Sequence, residues 1–200
     1  MKWFREWRSA TTGGAPFFPL GVLFGLNMVD ELDRTAFGVL LPEIRDHFHT
    51  STTGILTLVS VSLVGAIVLA LPIGFYADRA KRIPIAAAGA TLWGGFSVMT
   101  GLAPTMWWLG GARVGAGLGR AVNDPVHNSL LADYYDIPVR PRVYAVHRYA
   151  NALGSFLGPM SAGLLAFYFG WRTPFVAFAV VTIDLSTALE SLTLDGWFLR

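Results

Sequence analysis

The run Ile55-Leu-Thr-Leu-Val-Ser-Val-Ser-Leu-Val-Gly-Ala-Ile-Val-Leu-Ala-Leu-Pro72 contains no charged residue and is apolar on every side. A soluble surface helix keeps a polar stripe, and a barrel strand alternates with period two over about 10 residues. This run does neither, so it predicts a helix solvated by lipid, with the span extending over Thr52–Tyr76.

Comparable runs lie on both sides of it. They are Phe17–Leu41, Ile83–Leu102, Met106–Leu131 and Val143–Phe169, with a weaker sixth at Pro174–Leu192. The expected fold is an all-α membrane protein, a six-transmembrane-helix bundle over residues 16–192 with an atypical sixth helix and tails at 1–15 and 193–200. Composition agrees: 54% hydrophobic and 14% charged residues lie far from the roughly 25% charge of soluble proteins. A water-soluble globule and a disordered chain are both excluded. Six spans of about 20 residues would take ~120 of the 200. The absence of cysteine removes disulfides, thiolate metal sites and a thiol nucleophile.

Basic residues orient the bundle. Lys2, Arg5, Arg8, Arg79, Lys81, Arg82, Arg140, Arg142, Arg148 and Arg200 fall on one side, and only Arg45 and Arg172 on the other. This asymmetry predicts cytoplasmic termini in a cell inner membrane, with the lipid bilayer and not a nucleic acid as partner of the basic segments. The apolar stretch after Met1–Ala15 is too long for a signal peptide and has no small-residue cleavage site. Trp107, Trp108 and Trp171 fall at outer boundaries, where an indole anchors in the headgroup layer. Gly111, Gly115 and Gly119, and likewise Gly154, Gly158 and Ala162, recur every four residues and predict close helix packing.

A charge in mid-bilayer costs about 2.5–3.5 kcal/mol and calls for a partner or a hydrated cavity. The first span carries Asp30, Glu31, Asp33 and Arg34. Asp30 and Arg34, four apart, can pair locally on the face shared with Asp33, whereas Glu31 is expected to point elsewhere. Asp33 lies roughly 24 Å along the span, which suits either a cavity site or an outer-interface cluster. On the fourth span Arg113, Arg120 and Asp124 form one stripe, separate from the glycines. Arg120 and Asp124 either neutralise each other or face the cavity with Asp30, Asp33, Arg34 and Arg113. His127, one turn on, is a hydrogen-bonding group or a proton relay.

Nothing argues for an enzyme, a metal or a cofactor. There is no paired-histidine motif and no phosphate loop with its lysine, and Ser129 and His127 point in different directions on one helix.

Several motifs together resemble the amino-terminal half of a major facilitator superfamily transporter, over about residues 17–183. Gly74-Phe-Tyr-Ala-Asp78-Arg79-Ala-Lys81-Arg82 looks like the loop motif between the second and third helices, with Lys81 in place of a glycine. Leu109, Arg113, Gly117 and Gly119 match the pattern around a buried arginine. Gly154-Ser-Phe-Leu-Gly158-Pro159-Met-Ser-Ala162-Gly163 is close to the motif of proton-driven exporters. Gly170-Trp171-Arg172-Thr-Pro-Phe175 resembles the following outer loop. Asp33-Arg34 ahead of Leu41-Pro42-Glu43-Ile44 is similar to the spinster branch, although Asp30 and Arg120 stand where that branch often has asparagine and glutamate.

The resemblance implies one half of a 12-helix fold that rocks against a second six-helix bundle, from a missing carboxy-terminal half or a homodimer. It implies a small-molecule substrate and protons as partners. Asp33, Arg34, Arg113 and Arg120 would then be cavity candidates. Gly74, Asp78, Arg79 and Arg82 would form a cytoplasmic gating loop, with Asp133 a partner for Arg82. Gly154, Gly158, Pro159 and Gly163 would let the fifth helix bend.

The sixth span fits least. Its apolar start ends near Ile183, and Asp184, Glu190 and Asp195 follow. A departure from the ancestral sequence near 182–184 would leave a transport-inactive fragment. A proton-coupled half-transporter and a membrane scaffold without transport are the other readings.

Overall fold

The computed structural model describes residues 2–77, 79 and 82–194. Its described residues form seven α-helices: α1 Lys2–Thr12, α2 Phe18–His47, α3 Thr52–Ala77, α4 Arg82–Gly101, α5 Met106–Tyr134, α6 Arg140–Phe169 and α7 Thr173–Leu194. Helices α2 to α7 are the six expected spans.

Their ends follow from local chemistry. Pro19 and Pro141 sit in the first turns of α2 and α6, where a missing N–H costs nothing. Thr105 caps α5 by accepting a hydrogen bond from the Trp108 amide at 3.2 Å. Gly170, at φ +87, ends α6 in a backbone conformation that glycine adopts freely.

The helices pack in the order α3, α5, α4, α7, α2, α6, each against the next. One apolar core joins Leu23, Leu26, Ile83, Leu130, Val143 and Leu189; another joins Leu40, Trp93, Leu109, Ala162 and Phe175. The outer faces of α3 and α6 remain uncovered, with Val61, Ile67, Val68, Phe156, Met160 and Phe167 exposed, as lipid-facing or partner-facing surfaces require.

Among the described residues, four helices, α3, α4, α6 and α7, are long and apolar enough to cross a membrane on length and composition alone. The other two, α2 and α5, carry the buried charges, and those charges meet one another.

Four expectations change. Residues assigned to the amino-terminal tail form the helix α1, which packs on α6. Helix α2 continues past Leu41 to His47, with Pro42 inside it. Helix α7 runs through Asp184 without a break, because Asp184 and Glu190 lie on its exposed face while Thr182, Ser186 and Leu189 continue the inward stripe. Ser186 donates to the Ala87 carbonyl at 3.0 Å and meets Thr91 at 2.8 Å.

The fourth change concerns the glycine stripes. A methyl group at Gly115 would strike Phe96 and one at Gly119 would strike the Gly89 carbonyl, but one at Gly111 would meet nothing; Gly110, facing Leu58, is the contact position there. On α6 the glycines at 154 and 158 touch α2, whereas Gly163 faces open space.

Candidate functional site

Asp33 on α2 is completely buried. Its Oδ2 accepts hydrogen bonds from both terminal nitrogens of Arg113, each at 3.1 Å, and from Arg120 Nη2 at 2.5 Å. Its Oδ1 accepts from the Ser97 hydroxyl of α4 at 2.5 Å, and that serine also reaches the Phe175 carbonyl of α7 at 3.1 Å. One carboxylate thus ties three helices together and approaches a fourth.

Aromatic rings complete the arginine environments. The Arg113 guanidinium lies 4.4 Å from the Phe37 ring centre and 5.7 Å from that of Phe175, and Arg120 lies 5.9 Å from Trp93. Asp30 pairs with Arg120.

Glu31 was expected to point away from the charged face. It does turn away from Asp30 and Asp33, towards α6, where it is buried and accepts from the Ser155 hydroxyl at 2.8 Å, but it also draws Arg34, which donates to it at 2.6 Å and 3.1 Å. The expected local pair of Asp30 with Arg34 therefore does not form: Arg120, arriving from α5, claims Asp30, and Arg34 turns to the acid three residues before it. The Asp124 side chain and Asp78 lie outside the described residues, so the proposed Arg120–Asp124 neutralisation is untouched, while Arg120 has Asp30 and Asp33.

A cavity of about 280 Å³ opens beside the cluster among α2, α3 and α5, lined in part by Arg34, Phe37, Arg113, Gly117 and Arg120. A larger cleft of about 720 Å³ between the starts of α3 and α5 is lined by Thr53, Thr57, Ser62 and Trp107 but by no charged residue. The smaller one is where charge and space coincide.

At the α1 end of the bundle, Arg82 and Asp133 form an ion pair between α4 and α5. Arg79 stacks on Phe75 at 3.8 Å, near Gly74 in the last turns of α3. Tyr135, just beyond α5, donates to the Pro16 carbonyl at 2.8 Å and accepts from the Leu20 amide at 3.2 Å, and burial pushes its phenol up to about 12.

Some polar residues had no distinguishing mark in the sequence. Ser97 is one serine in an apolar run. Asn27, which donates to the His147 carbonyl at 3.0 Å and bonds to Asn151, seams α2 to α6. His127 faces His147 with ring centres 5.6 Å apart. Spacing could have paired Asn27 with Glu31 one turn on, since both lie on the strip of α2 that meets α6.

The family model for the Major Facilitator Superfamily matches residues 23–187. The chain belongs to this superfamily. Among major facilitator proteins it is 26% identical over 178 residues to a probable L-galactonate transporter of Escherichia coli (strain K12), covering 89% of this chain and 38% of that protein. It is 31% identical over 187 residues to the lincomycin resistance protein of Streptomyces lincolnensis, covering 86% and 38%. It superposes with a TM-score of 0.76 and 22% identity on the crystal structure of a bacterial homologue of the human lysosomal transporter spinster, inward-facing and unoccupied, covering 88% of this chain and 43% of that one. The chain thus spans about two fifths of these relatives. A major facilitator half accounts for the fold, and members of the superfamily are integral membrane transporters of small molecules.

Proposed function

We propose that the chain is the amino-terminal half of a proton-coupled secondary transporter that moves a small organic or amphiphilic solute by alternating access. The observation that carries this reading is Asp33, a fully buried carboxylate shared by Arg113 and Arg120 beside a cavity. Buried ionisable groups in a membrane bundle mark ion or substrate paths.

With Asp33 ionised, α2 and α5 are held together by opposite charges. A proton on Asp33 leaves two guanidiniums facing the single Asp30 carboxylate. The attraction falls, and α5 is freed to shift against α2. The released arginine edges then face the cavity, where an anionic or hydrogen-bonding group of the solute can replace the lost carboxylate. The relatives' names, one for a sugar acid and one for resistance to an antibiotic, support a small organic solute.

A second six-helix bundle, from another chain or a second copy, supplies the opposite wall of the solute site. Gly74, Asp78, Arg79, Arg82 and Asp133 act as the cytoplasmic gate, and Gly154, Gly158, Pro159 and Gly163 let α6 flex. The protein sits in the cell inner membrane with both termini in the cytoplasm, as its basic residues indicate.

The test is proton-gradient-driven flux in liposomes containing only this chain, read with an internal pH dye. Flux that disappears in Asp33→Asn and Arg120→Ala, with insertion retained, supports the reading. No flux, together with monomeric behaviour in detergent, sinks the half-transporter form of it.

A further inference from the structure

Ser97 of α4 stands between two acceptors. Its hydroxyl lies 2.5 Å from Asp33 Oδ1 on α2 and 3.1 Å from the Phe175 carbonyl oxygen in the first turn of α7. Ser97 and Asp33 are both completely buried, so each has to find its partners inside the bundle. A hydroxyl has one proton to donate and lone pairs with which to accept, and it turns to suit its neighbours. The shorter contact falls in the range of a charge-assisted O–H···O⁻ bond, about 2.5–2.7 Å. This is the arrangement for ionised Asp33, with the Phe175 carbonyl as the weaker acceptor.

The two oxygens of Asp33 are not equivalent. Oδ2 takes three N–H donors, two from Arg113 and one from Arg120, on an oxygen with two lone pairs. Oδ1 takes Ser97. The other charged groups nearby lie on the same helix, with Asp30 paired to Arg120 and Glu31 to Arg34. The residues that α3, α4, α6 and α7 bring to this region, Ser62, Ser97, Ser155 and Phe175 among them, are uncharged. A proton arriving at the carboxylate therefore bonds to Oδ1, the oxygen without arginine donors. The neutral carboxyl then donates to Ser97 Oγ, and Ser97 turns its own proton to the Phe175 carbonyl. No bond of the serine breaks; its hydroxyl rotates, and the cluster gains the one proton.

Helices α4 and α7 are packed closely enough to feel this rotation. Gly94, Ser97 and Gly101, three and four residues apart, share one stripe of α4. A methyl group at Gly94 would meet Thr182 at 3.4 Å, and one at Gly101 would come within 2.8 Å of the Arg172 carbonyl, at the entry to α7. Within this stripe, Ser97 also reaches α2.

We propose that Ser97 is a positioning residue that senses the charge of Asp33, binding α4 to α2 while Asp33 is ionised and turning its proton to α7 when Asp33 is neutral. The inference rests on the proton-coupled reading above and adds a second element to it. Protonation trades the charge-assisted bond between α4 and α2 for a neutral one, roughly half as strong, and gains a bond from α4 to α7. Helix α2 thus loosens from α4 as well as from α5, while α4 and α7 tighten as a pair.

Infrared difference spectra of the full chain in phosphatidylcholine vesicles, acid minus neutral, provide the test, with phenylalanine isotopically labelled at its carbonyl carbon. A carboxyl C=O band that is absent in Asp33→Asn should appear, at the lower wavenumber of a carboxyl whose proton is hydrogen-bonded. A labelled carbonyl band should move down with it. Ser97→Ala should shift the Asp33 band to higher wavenumber and abolish the labelled-carbonyl change, and Ser97→Thr, which keeps the hydroxyl, should restore both. An Asp33 band at one wavenumber in wild type and Ser97→Ala overturns the role of Ser97 and leaves Asp33 as the proton site. An unmoved labelled carbonyl overturns the turn towards α7. Spectra without any Asp33-dependent band overturn the proton reading, and this inference with it. Should Ser97→Ala not fold, the wild-type spectrum decides alone, since a band at the position of an unbonded carboxyl refutes the assignment.

Discussion

Arg113 directs both of its terminal nitrogens at one oxygen of Asp33, each at 3.1 Å, across the α2–α5 contact, and both side chains are almost wholly removed from the surface. Removing one partner of such a pair strands the other, at about 3–5 kcal/mol. Asp33→Asn and Arg113→Gln should each lower the unfolding midpoint in detergent steeply. The double variant Asp33→Asn/Arg113→Gln should recover much of the loss, because Arg120 still has Asp30. Additive losses in the cycle would show that the two residues act independently.

The contact between α2 and α6 should be just as sensitive to a single methyl group. A Cβ at Gly154 would fall 2.7 Å from the Met28 carbonyl, and one at Gly158 would overlap Thr35. Gly154→Ala and Gly158→Ala should each destabilise the bundle by about 1–3 kcal/mol through overpacking. Gly163→Ala, with nothing within 4 Å, should be neutral or slightly stabilising, since alanine is the better helix former. Thermal unfolding of the three single variants side by side checks this, and a Gly163→Ala loss as large as the others would refute it.

Arg82 and Asp133 are each more than a third exposed, so their pair should contribute less than about 1 kcal/mol to stability. Arg82→Gln should leave the unfolding midpoint nearly unchanged while raising labelling of a cysteine placed at Ala132 by a water-soluble reagent, as a gate contact would require. Unchanged labelling would remove the gating role.

Tyr135 supplies a pH signature. Its phenol is raised from the ordinary 10.0 to about 12 by burial, so the fold favours the neutral, hydrogen-bonded form. A raised folded value means that the stabilisation is fully present below pH 10 and is lost as pH rises from 10 to 12. The loss approaches about 2–3 kcal/mol. Unfolding midpoints measured across that range should fall less in Tyr135→Phe, which lowers stability at neutral pH by about 1 kcal/mol through the lost hydrogen bonds. Parallel alkaline profiles for the two proteins would count against this assignment.

The apolar runs that became α3, α4, α6 and α7 are legible because lipid solvation needs only length and the absence of charge. Stranded charges on α2 and α5 are legible for the same reason in reverse, and they mark Asp33, Arg113 and Arg120 as cluster members before any geometry is known. The choice of partners is not legible. Asp30 has an arginine four residues away, yet pairs with one 90 positions along the chain, Arg120, because only packing sets which helix faces which. Ser97 and Asn27 escaped notice since one hydroxyl or amide in an apolar run is common. Helix α1 left a trace in the spacing of Trp3, Trp7 and Thr11, one turn apart, but its basic residues made it look like a plain tail.

The bonds from Arg113 and Arg120 to Asp33 join positions 80 and 87 apart in the chain, and this separation orders biogenesis. During synthesis α2 emerges with Asp30, Glu31 and Asp33 when only Arg34 is present to neutralise them. At about 2.5–3.5 kcal/mol per uncompensated charge at the centre of a helix, α2 alone is a poor resident of the bilayer. Its lasting insertion should therefore await α5, and α2 should be secured later than α3 and α4, which carry no such buried acids.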